Sequence, residues 1–310
     1  MPFVIEKADR AKSKVCVALA GDSGSGKTLS SIRLARGLVG EKGRIGYIDT
    51  EQHRASLYAG YYGGFDVINL EPPFSPERYE EAVRTFKDAG YDVVVIDSMS
   101  HEWEGTGGVL EMADSQTYGN GKPMVGLDKW CKPKIAHRKM MNYIMNCGMN
   151  VIFCYRVKYN MVEGVDERGK KTLTKDTNPT IVREPNVNYD ITVDLTLDAN
   201  KIPHISGKCP EALEWLFGHD MITEETGANI IEWLHSVQRD ADAIVADGAK
   251  QKDLRAWFGT LNPFEQYLAR KYSDKIKQVN TAKEKAPAPV KELAKEEPVK
   301  ETQTYEEVEL

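Results

Sequence analysis

The residues whose types and spacing most clearly carry chemistry form a glycine-rich segment near the start of the chain. Residues 21–28 read GDSGSGKT and fit the pattern Gly-x-x-x-x-Gly-Lys-Ser/Thr. In such a loop the backbone N–H groups converge on bound phosphates, and the start of the following helix adds a favourable dipole. The segment therefore predicts a site for a nucleoside triphosphate.

The predicted phosphate-binding residues are Gly21, Asp22, Ser23, Gly24, Ser25, Gly26, Lys27, Thr28 and Leu29. An apolar run at residues 15–20 precedes them, and a helical pattern of apolar residues follows from Leu29 to Leu38. Because this strand-loop-helix context is the one that the motif requires, an ordinary tight turn is a poor alternative. We expect Lys27 to bridge the β- and γ-phosphates as a point charge and the Thr28 hydroxyl to ligate Mg²⁺.

Two acidic residues follow other predicted strands. Residues 91–97, YDVVVID, form an apolar strand that ends in Asp97, where a carboxylate on the Mg²⁺ side is needed. Residues 45–51, IGYIDTE, place Glu51 just beyond the next strand after the loop, where it could orient and polarise a water molecule. The carboxyl ends of parallel strands collect at one edge of a sheet. From these residues alone, two alternatives remain: Asp97 only ends a strand, and Glu51 is an exposed acid in a loop.

The elements that must position these residues alternate between short β-rich runs and helical patterns. Further strand candidates lie at residues 67–70 and 151–154, and the clearest helices follow Ser75 and begin at Pro133. This alternation predicts an α/β fold with a mostly parallel, twisted sheet. Residues 191–197 alternate apolar and polar side chains, which favours a half-exposed antiparallel strand, so the sheet is expected to end in antiparallel strands.

Length and composition bound the domain organisation. The chain has 310 residues, of which 41% are hydrophobic, which is enough for one large domain or two small ones. We predict a core at residues 1–209, a small helical C-terminal appendage at 210–280 and a disordered acidic tail at 281–310. The tail combines Lys, Glu and Pro with little apolar surface, and it is expected either to bind a partner or to act as an inert solubilising segment.

The overall charge and the apolar runs exclude several classes of protein. With 41 Lys and Arg against 47 Asp and Glu, the formal charge is −6, which excludes a generally basic chain that coats nucleic acid. No apolar run approaches the roughly 20 residues of a membrane helix, and no secretory signal is evident at the start. We therefore expect a cytoplasmic protein with no membrane association. The five cysteines form no Cys-x-x-Cys pair, so no disulfide framework or zinc site is indicated.

The order of these segments resembles the RecA-like ATPase core, whose phosphate loop is followed by segments similar to YIDTE at residues 47–51 and IDS at 96–98. Residues 72–79, PPFSPERY, and 97–105, DSMSHEWEG, are more closely similar to phage-encoded ATP-binding proteins of the AAA-labelled, RecA-like group. Relatives in that wider group include single-strand-annealing recombinases. The resemblance covers about residues 15–209 and implies a RecA-like P-loop NTPase core that uses ATP and Mg²⁺.

The resemblance also implies roles for individual residues. Glu51 matches the catalytic glutamate, Asp97 matches the acid on the Mg²⁺ side, and Lys27 acts as a catalytic cation. Arg156 stands where RecA-like proteins place a polar γ-phosphate sensor, and a structural or DNA-facing arginine is the alternative. Lys208 stands where they carry lysines that reach the ATP site of the neighbouring subunit. Because the family often has two basic residues there and this chain continues with Cys209, a plain surface lysine is the alternative.

Two long segments, residues 104–128 and 157–184, lie where RecA-like proteins have their DNA-binding loops. In the second segment, residues 166–169, DERG, are typical of a turn between two short strands, which would place lysines on a projecting hairpin. A basic tip can contact phosphate, and a solvated hairpin is the alternative. The candidate DNA-binding residues are Lys158, Lys170, Lys171 and Lys175.

These features together predict an Mg²⁺-dependent, DNA-dependent ATPase. The resemblance implies a homo-oligomer with ATP at subunit interfaces that acts on single-stranded DNA in phage recombination or replication, in the host cytoplasm. The acidic tail would then be available to contact a recombination or replication protein. Two alternatives remain: an ATP-dependent helicase loader or assembly factor that acts on a protein partner, and a nucleotide-dependent binding module with little hydrolysis.

Overall fold

The structure is a computed structural model, and it describes residues 5–165, 171–176, 178–235, 239 and 241–285. The chain divides into two compact units, Met1–Gln238 and Arg239–Leu310. The strands, all in the first unit, are β1 (Cys16–Gly21), β2 (Ile45–Asp49), β3 (Asp66–Asn69), β4 (Val93–Asp97), β5 (Asn150–Lys158), β6 (Met161–Val165), β7 (Lys171–Lys175), β8 (Thr180–Ile181), β9 (Val193–Leu197) and β10 (Pro203–Ile205).

Helices flank these strands and continue into the second unit. The first unit contains α1 (Lys27–Val39), α2 (Pro76–Asp88), α3 (Ser100–Glu104), α4 (Val109–Asp114), α5 (Cys131–Met145) and α6 (Glu224–His235). The second unit contains α7 (Ala241–Gly248), α8 (Leu254–Phe258), α9 (Pro263–Lys271) and α10 (Ser273–Lys285). None of these described helices combines the length and the apolar character that crossing a membrane requires.

The main sheet has the strand order β10-β9-β1-β5-β4-β2-β3. Every pair from β9 to β3 is parallel, whereas β10 is antiparallel to β9 at one edge and β8 is antiparallel to the end of β5. The predicted α/β class, a mostly parallel sheet that ends in antiparallel strands, is therefore confirmed. A strand lies between the loop-bearing β1 and β4, so the start of α1 must reach across β5 to approach the end of β4.

Strand β9 is antiparallel to β10, as predicted, and parallel to β1, but the prediction of a half-exposed strand was wrong, because β9 is almost fully buried. Its polar residues do not face solvent. Asp194 is buried and accepts hydrogen bonds from both terminal nitrogens of Arg183, at 3.2 and 2.6 Å. The hydroxyl of Thr192, just before the strand, accepts from the backbone N–H of Cys16. Thr192 and Asp194 thus have partners inside the protein, and the alternation of polar and apolar residues does not indicate a solvent-exposed face here.

The sheet is covered on both faces, which explains why its central strands are apolar along their whole length. Alternate residues of β1 enter different hydrophobic clusters: Val17 and Leu19 pack on the α1 and α6 side, and Ala18 and Ala20 pack on the α2 and α5 side. The strand that leads into the glycine-rich loop is thus fixed from both sides. The core sits directly behind the candidate site.

Helix α6 packs against α1 with unusually close backbones. A Cβ atom at Gly37 would overlap the carbonyl oxygen of Glu224, and one at Gly227 would overlap the carbonyl oxygen of Leu34. Only glycine fits at such a crossing. Helix α6 therefore lies in the first unit, although residues 210–280 were predicted to form an appendage, and the structural division falls after residue 238.

The second unit is helical, as predicted for this part of the chain. Asn262 and Glu265 form a capping box at the start of α9, and Arg239 is paired with Asp247 and Glu265 at 2.7 Å each. Helix α10 continues to Lys285, past residue 281, where the acidic tail was predicted to begin. The rest of the predicted tail, residues 286–310, lies outside the described residues.

Candidate nucleotide-binding site

The glycine-rich loop joins β1, which ends at Gly21, to α1, which begins at Lys27. Gly24 and Gly26 have φ values of +83° and +86°, in the left-handed region that side chains disfavour. A Cβ atom at Gly21 would overlap the hydroxyl of Ser25, so the loop closes tightly on itself. The glycines of the motif are therefore required by the backbone geometry, and the loop forms the concave anion site that the sequence predicted.

Two side chains of the loop show where polar ligand atoms fit. The Lys27 Nζ lies 2.8 Å from the carbonyl oxygens of Gly21 and Asp22, so the ammonium group lies along the loop. The Ser25 hydroxyl is buried and has no hydrogen-bond partner among the described residues. A buried hydroxyl without a partner costs free energy unless a ligand or water satisfies it. The loop thus has an unused donor where phosphate oxygens are expected.

Thr28 and Asp97 meet at the start of α1 and form the candidate Mg²⁺ site. The Thr28 hydroxyl donates to Asp97 Oδ2 at 2.8 Å, and the Tyr47 hydroxyl donates to the same oxygen at 2.8 Å. Burial raises the pKa of Asp97, and the two hydrogen bonds oppose this shift. Among the described residues, no group of three or more His, Cys, Asp or Glu side chains is placed so that it could hold a metal ion. Two hard oxygen ligands fit Mg²⁺, which commonly takes its remaining ligands from phosphates and water.

Glu51 is held by the turn that follows β2. Asp49 Oδ1 accepts the backbone N–H of Glu51 at 2.6 Å, and Asp49 Oδ2 accepts that of Ala55 at 2.9 Å. Between these two bonds, Gln52 and His53 have φ values of 59° and 64°, which non-glycine residues rarely adopt. The buried Asp49 carboxylate therefore stabilises a tight loop, and this loop sets the position of Glu51.

Glu51 and Arg156, two residues predicted separately, are direct partners. Glu51 Oε1 accepts hydrogen bonds from Arg156 Nε at 2.8 Å and from a terminal guanidinium nitrogen at 2.6 Å. The side chains are 17% and 42% exposed, so the pair lies at the edge of the interior with its arginine partly in solvent. The sheet brings together β2 and β5, which are far apart in sequence. Arg156 therefore fixes the orientation of the candidate catalytic carboxylate.

His101 and Glu102, which the sequence left without a role, have defined partners. His101 Nδ1 lies 2.7 Å from the Thr50 hydroxyl, and the imidazole stacks on Phe74 with ring centroids 5.0 Å apart. Burial, followed by the nearby Arg156, lowers the pKa of His101. Glu102 is buried and lies 2.9 Å from His137 Nδ1 of α5. These contacts connect α3, which follows Asp97, to Thr50, to Phe74 and to α5.

A cavity of about 610 Å³ joins the loop, Asp97, Glu51 and Arg156. Its lining also includes residues that sequence reasoning missed, because their spacing follows no motif: Arg33, Arg54, Leu57, Tyr58, Lys201 and Met221. Five cations line the cavity against three carboxylates, and an excess of positive charge favours a polyanionic ligand. The cations are Lys27, Arg33, Arg54, Arg156 and Lys201, and the carboxylates are Asp22, Glu51 and Asp97.

The remaining predicted residues lie outside this lining. Lys208 follows β10, and its carbonyl oxygen accepts the backbone N–H of Asp194. Lys158 ends β5, and Lys171 and Lys175 begin and end β7, which pairs with β6 in an antiparallel hairpin as the sequence predicted. The turn of that hairpin, with Lys170, lies outside the described residues.

Residues 13–226 match the family model described as AAA domain. No match was found among the curated proteins. Among solved structures, the chain is similar to the KaiC-like protein PH0186 from the hyperthermophilic archaeon Pyrococcus horikoshii OT3, with 12% identity over 55% of this chain and 82% of that chain and a TM-score of 0.29. So weak a likeness says nothing about function.

The family match covers the strands and helices that build the cavity, from the glycine-rich loop to the start of α6. Together with the sheet order, it confirms the mostly parallel α/β P-loop core that the sequence predicted. Because the matched residues make up more than half of the chain, the protein belongs to the AAA domain family and carries a P-loop ATPase core.

Proposed function

We propose that this protein is an Mg²⁺-dependent ATPase that acts on single-stranded DNA in phage recombination or replication, as a homo-oligomer with ATP at subunit interfaces. One observation carries the hydrolytic part of the proposal. The phosphate loop, the Asp97 carboxylate and the Glu51 carboxylate, from three separate strand ends, line a single cavity. Binding alone would require the loop, whereas hydrolysis also requires a group that can position water.

Binding is assigned to the loop and the cations around it. The backbone N–H groups of residues 22–28 and the Ser25 hydroxyl would satisfy phosphate oxygens, and Lys27 would exchange its carbonyl contacts for the outer phosphates. Thr28 and Asp97 would hold Mg²⁺. When bound, this ion neutralises charge that develops on the phosphate oxygens. Leu57, Tyr58 and Met221 line the same cavity and offer apolar surface to a nucleobase.

Hydrolysis is assigned to Glu51 with Arg156 as its partner. Glu51 would orient a water molecule and accept its proton as the water oxygen attacks the γ-phosphorus, and the bond to ADP breaks. A carboxylate bound to a guanidinium is a weaker base than a free one. Because Arg156 is partly exposed, it can turn toward the γ-phosphate and leave Glu51 to the water. Arg156 would then contact Glu51 before the γ-phosphate binds and the γ-phosphate afterwards, as expected of a γ-phosphate sensor.

The DNA part of the proposal is supported by the continuity of β5. This strand carries Arg156 in the cavity and Lys158 two residues later, and it leads directly into the hairpin formed by β6 and β7. Met161 and Leu173 on that hairpin are 59% and 64% exposed, beside the lysines at the ends of β7. Lysines on the same segment as exposed apolar residues suit a single strand, which offers phosphates and unpaired bases.

The decisive experiment measures the ATPase rate with and without single-stranded DNA. We expect stimulation by single strands that exceeds any stimulation by duplex DNA, and no turnover in Lys27→Ala. Turnover that DNA leaves unchanged, together with no DNA binding, would remove DNA from the proposal and favour the assembly-factor alternative. A rate near zero under all conditions, with ATP bound, would favour the binding module.

The oligomer is tested by mass measurement with and without a nonhydrolysable ATP analogue. We expect the analogue to increase the assembled mass, because ATP at an interface stabilises that interface. Lys208 is proposed to reach the ATP site of the neighbouring subunit, so Lys208→Ala should lower turnover without preventing ATP binding. The acidic tail is proposed to contact a recombination or replication protein, and removal of residues 286–310 should then leave the ATPase rate unchanged.

A further inference from the structure

The turn between β9 and β10 carries a lysine that neither the motif nor the family match assigns. Lys201 has a φ of 68°, in the left-handed region. Asp198 fixes this turn: its Oδ1 accepts the backbone N–H groups of Asn200 and Ile202 at 2.8 and 2.9 Å, and its carbonyl oxygen accepts that of Lys201 at 3.0 Å. The conformation of Lys201 is therefore set by the fold before any ligand binds.

The Lys201 side chain lies against the glycine-rich loop of its own chain. Strand β9 pairs with β1 up to Leu197 and Gly21, so the turn that follows β9 sits beside the loop that follows β1. The Cγ and Cδ atoms of Lys201 lie 3.2 and 3.3 Å from the point that a Cβ atom of Gly26 would occupy. A larger residue at position 26 would thus exclude the lysine as well as strain the loop.

Three of the other four cations that line the cavity have partners inside the protein. Arg156 is bound to Glu51, Arg33 donates to the Tyr62 hydroxyl at 2.9 Å, and Lys27 donates to loop carbonyls. In the part of the chain that the structure describes, no carboxylate pairs with Lys201, although the residue lines the cavity. A cation without an internal partner beside a phosphate loop is available to a ligand anion.

We propose that Lys201 binds the triphosphate held by the loop of its own chain, as a second cation beside Lys27. The inference rests on the proposed nucleotide binding and adds a residue that acts in cis. It also gives Lys201 a different role from Lys208, which is proposed to act on the ATP site of the neighbouring subunit. The left-handed turn held by Asp198 positions the lysine, and Gly26 leaves room for its stem.

The first test compares affinities for MgATP in the full-length protein. Lys201→Ala should weaken MgATP binding by about tenfold or more, since a hydrogen bond to a charged group is lost. Lys201→Met should do the same, because it keeps the stem against Gly26 and removes only the charge. Asp198→Ala should cause part of the loss by freeing the turn. Lys42→Ala, an exposed lysine outside the cavity, serves as the control and should bind as the wild type does.

The second test asks whether the lysine acts in cis by mixing inactive variants. A subunit with Lys27→Ala retains Lys201 but should bind nucleotide about a hundredfold more weakly, and a subunit with Lys201→Ala retains the loop. If Lys201 acted across an interface, mixed oligomers would regain sites with wild-type affinity. We expect no such gain, whereas a mixture of Lys27→Ala with Lys208→Ala should regain turnover.

Two results would overturn the inference: wild-type affinity in both Lys201→Ala and Lys201→Met, or restored affinity in the mixture of Lys27→Ala with Lys201→Ala. Failure of the proposed function has a different signature. In that case the wild-type protein would not bind MgATP, and Lys27→Ala would change nothing. Circular dichroism of each variant separates loss of a contact from loss of the fold.

Discussion

The nucleotide cavity and the β6–β7 hairpin are built in opposite ways. In the cavity, the two candidate acids are held by partners from other elements: Asp97 by Thr28 and Tyr47, and Glu51 by Arg156. The hairpin strands pair with each other, and large apolar side chains such as Leu173 remain exposed. Chemistry needs groups that are fixed in advance, whereas a surface for a flexible polymer can adapt when the polymer binds.

This contrast predicts how variants in the two regions differ. In the cavity, one substitution removes a group with a unique position, so losses should be large and should not add between partners. On the hairpin, lysines contact a repeating backbone, so losses should be small, additive and dependent on salt. Variants in both regions therefore test whether the cavity and the hairpin differ in this way.

The largest effect is expected for Glu51→Gln. This change keeps the size of the side chain but removes the base, so turnover should fall by about 10²- to 10⁴-fold. Affinity for MgATP should stay within a few fold, because the loop is intact. Single-turnover hydrolysis and equilibrium binding measure the two quantities. Full turnover in this variant would remove Glu51 from the mechanism and leave the cavity with no fixed base.

A stability test concerns the ion pair between the segment that returns from the hairpin and β9. Arg183 and Asp194 are both buried, and Arg183→Met leaves the Asp194 carboxylate without its partner. We expect a loss of about 3–5 kcal/mol in the free energy of unfolding, measured with urea. The double variant Arg183→Met with Asp194→Leu should recover much of this loss. Equal loss in both variants would show that packing, and not the unpaired charge, is responsible.

Lys27→Ala should weaken MgATP binding by about a hundredfold, since it removes the cation closest to the loop. Equilibrium binding of a fluorescent ATP analogue measures the change. Leu127→Ala, at an exposed residue outside the cavity, is the control and should bind the analogue as the wild type does. Wild-type affinity in Lys27→Ala would contradict the assignment of the loop as the phosphate site.

The smallest effect is expected on the hairpin. Replacing Lys158, Lys171 and Lys175 with Gln should weaken single-strand binding by a few fold per charge and lower the salt slope by up to about three. The basal ATPase rate should not change. A matched variant with Lys7, Lys42 and Lys252 replaced by Gln alters the net charge equally. Equal losses in both variants would show that overall charge causes the effect and that the hairpin is a solvated surface with no DNA site.

The sequence predicted the parts of the site whose function depends on local backbone. Gly24 and Gly26 were identified because they belong to the phosphate-loop pattern, and the structure places both in the left-handed region; Asp97 was identified because an apolar strand ends there. The sheet class followed from the alternation of strands and helices. In each case the physical requirement lies within a few neighbouring residues.

The features that the sequence did not predict depend on contacts between distant segments. Nothing in the spacing joins Glu51 to Arg156, because that pair forms only when β2 and β5 enter the same sheet. Asp194 in β9 contributed to the prediction of an exposed strand, since its partner Arg183 lies outside the alternating pattern. Lys201 was missed because its importance arises from the neighbour of β1 in the sheet, which no motif records.

The glycine contact between α1 and α6 has a mechanical consequence. Because Gly37 and Gly227 bring the two backbones together without side chains between them, neither helix can tilt or slide alone without a steric clash. Helix α1 begins at Lys27, so any rotation that a bound triphosphate imposes on its first turn must carry α6 with it. We therefore expect α1 and α6 to move together as one unit when a triphosphate binds at the loop.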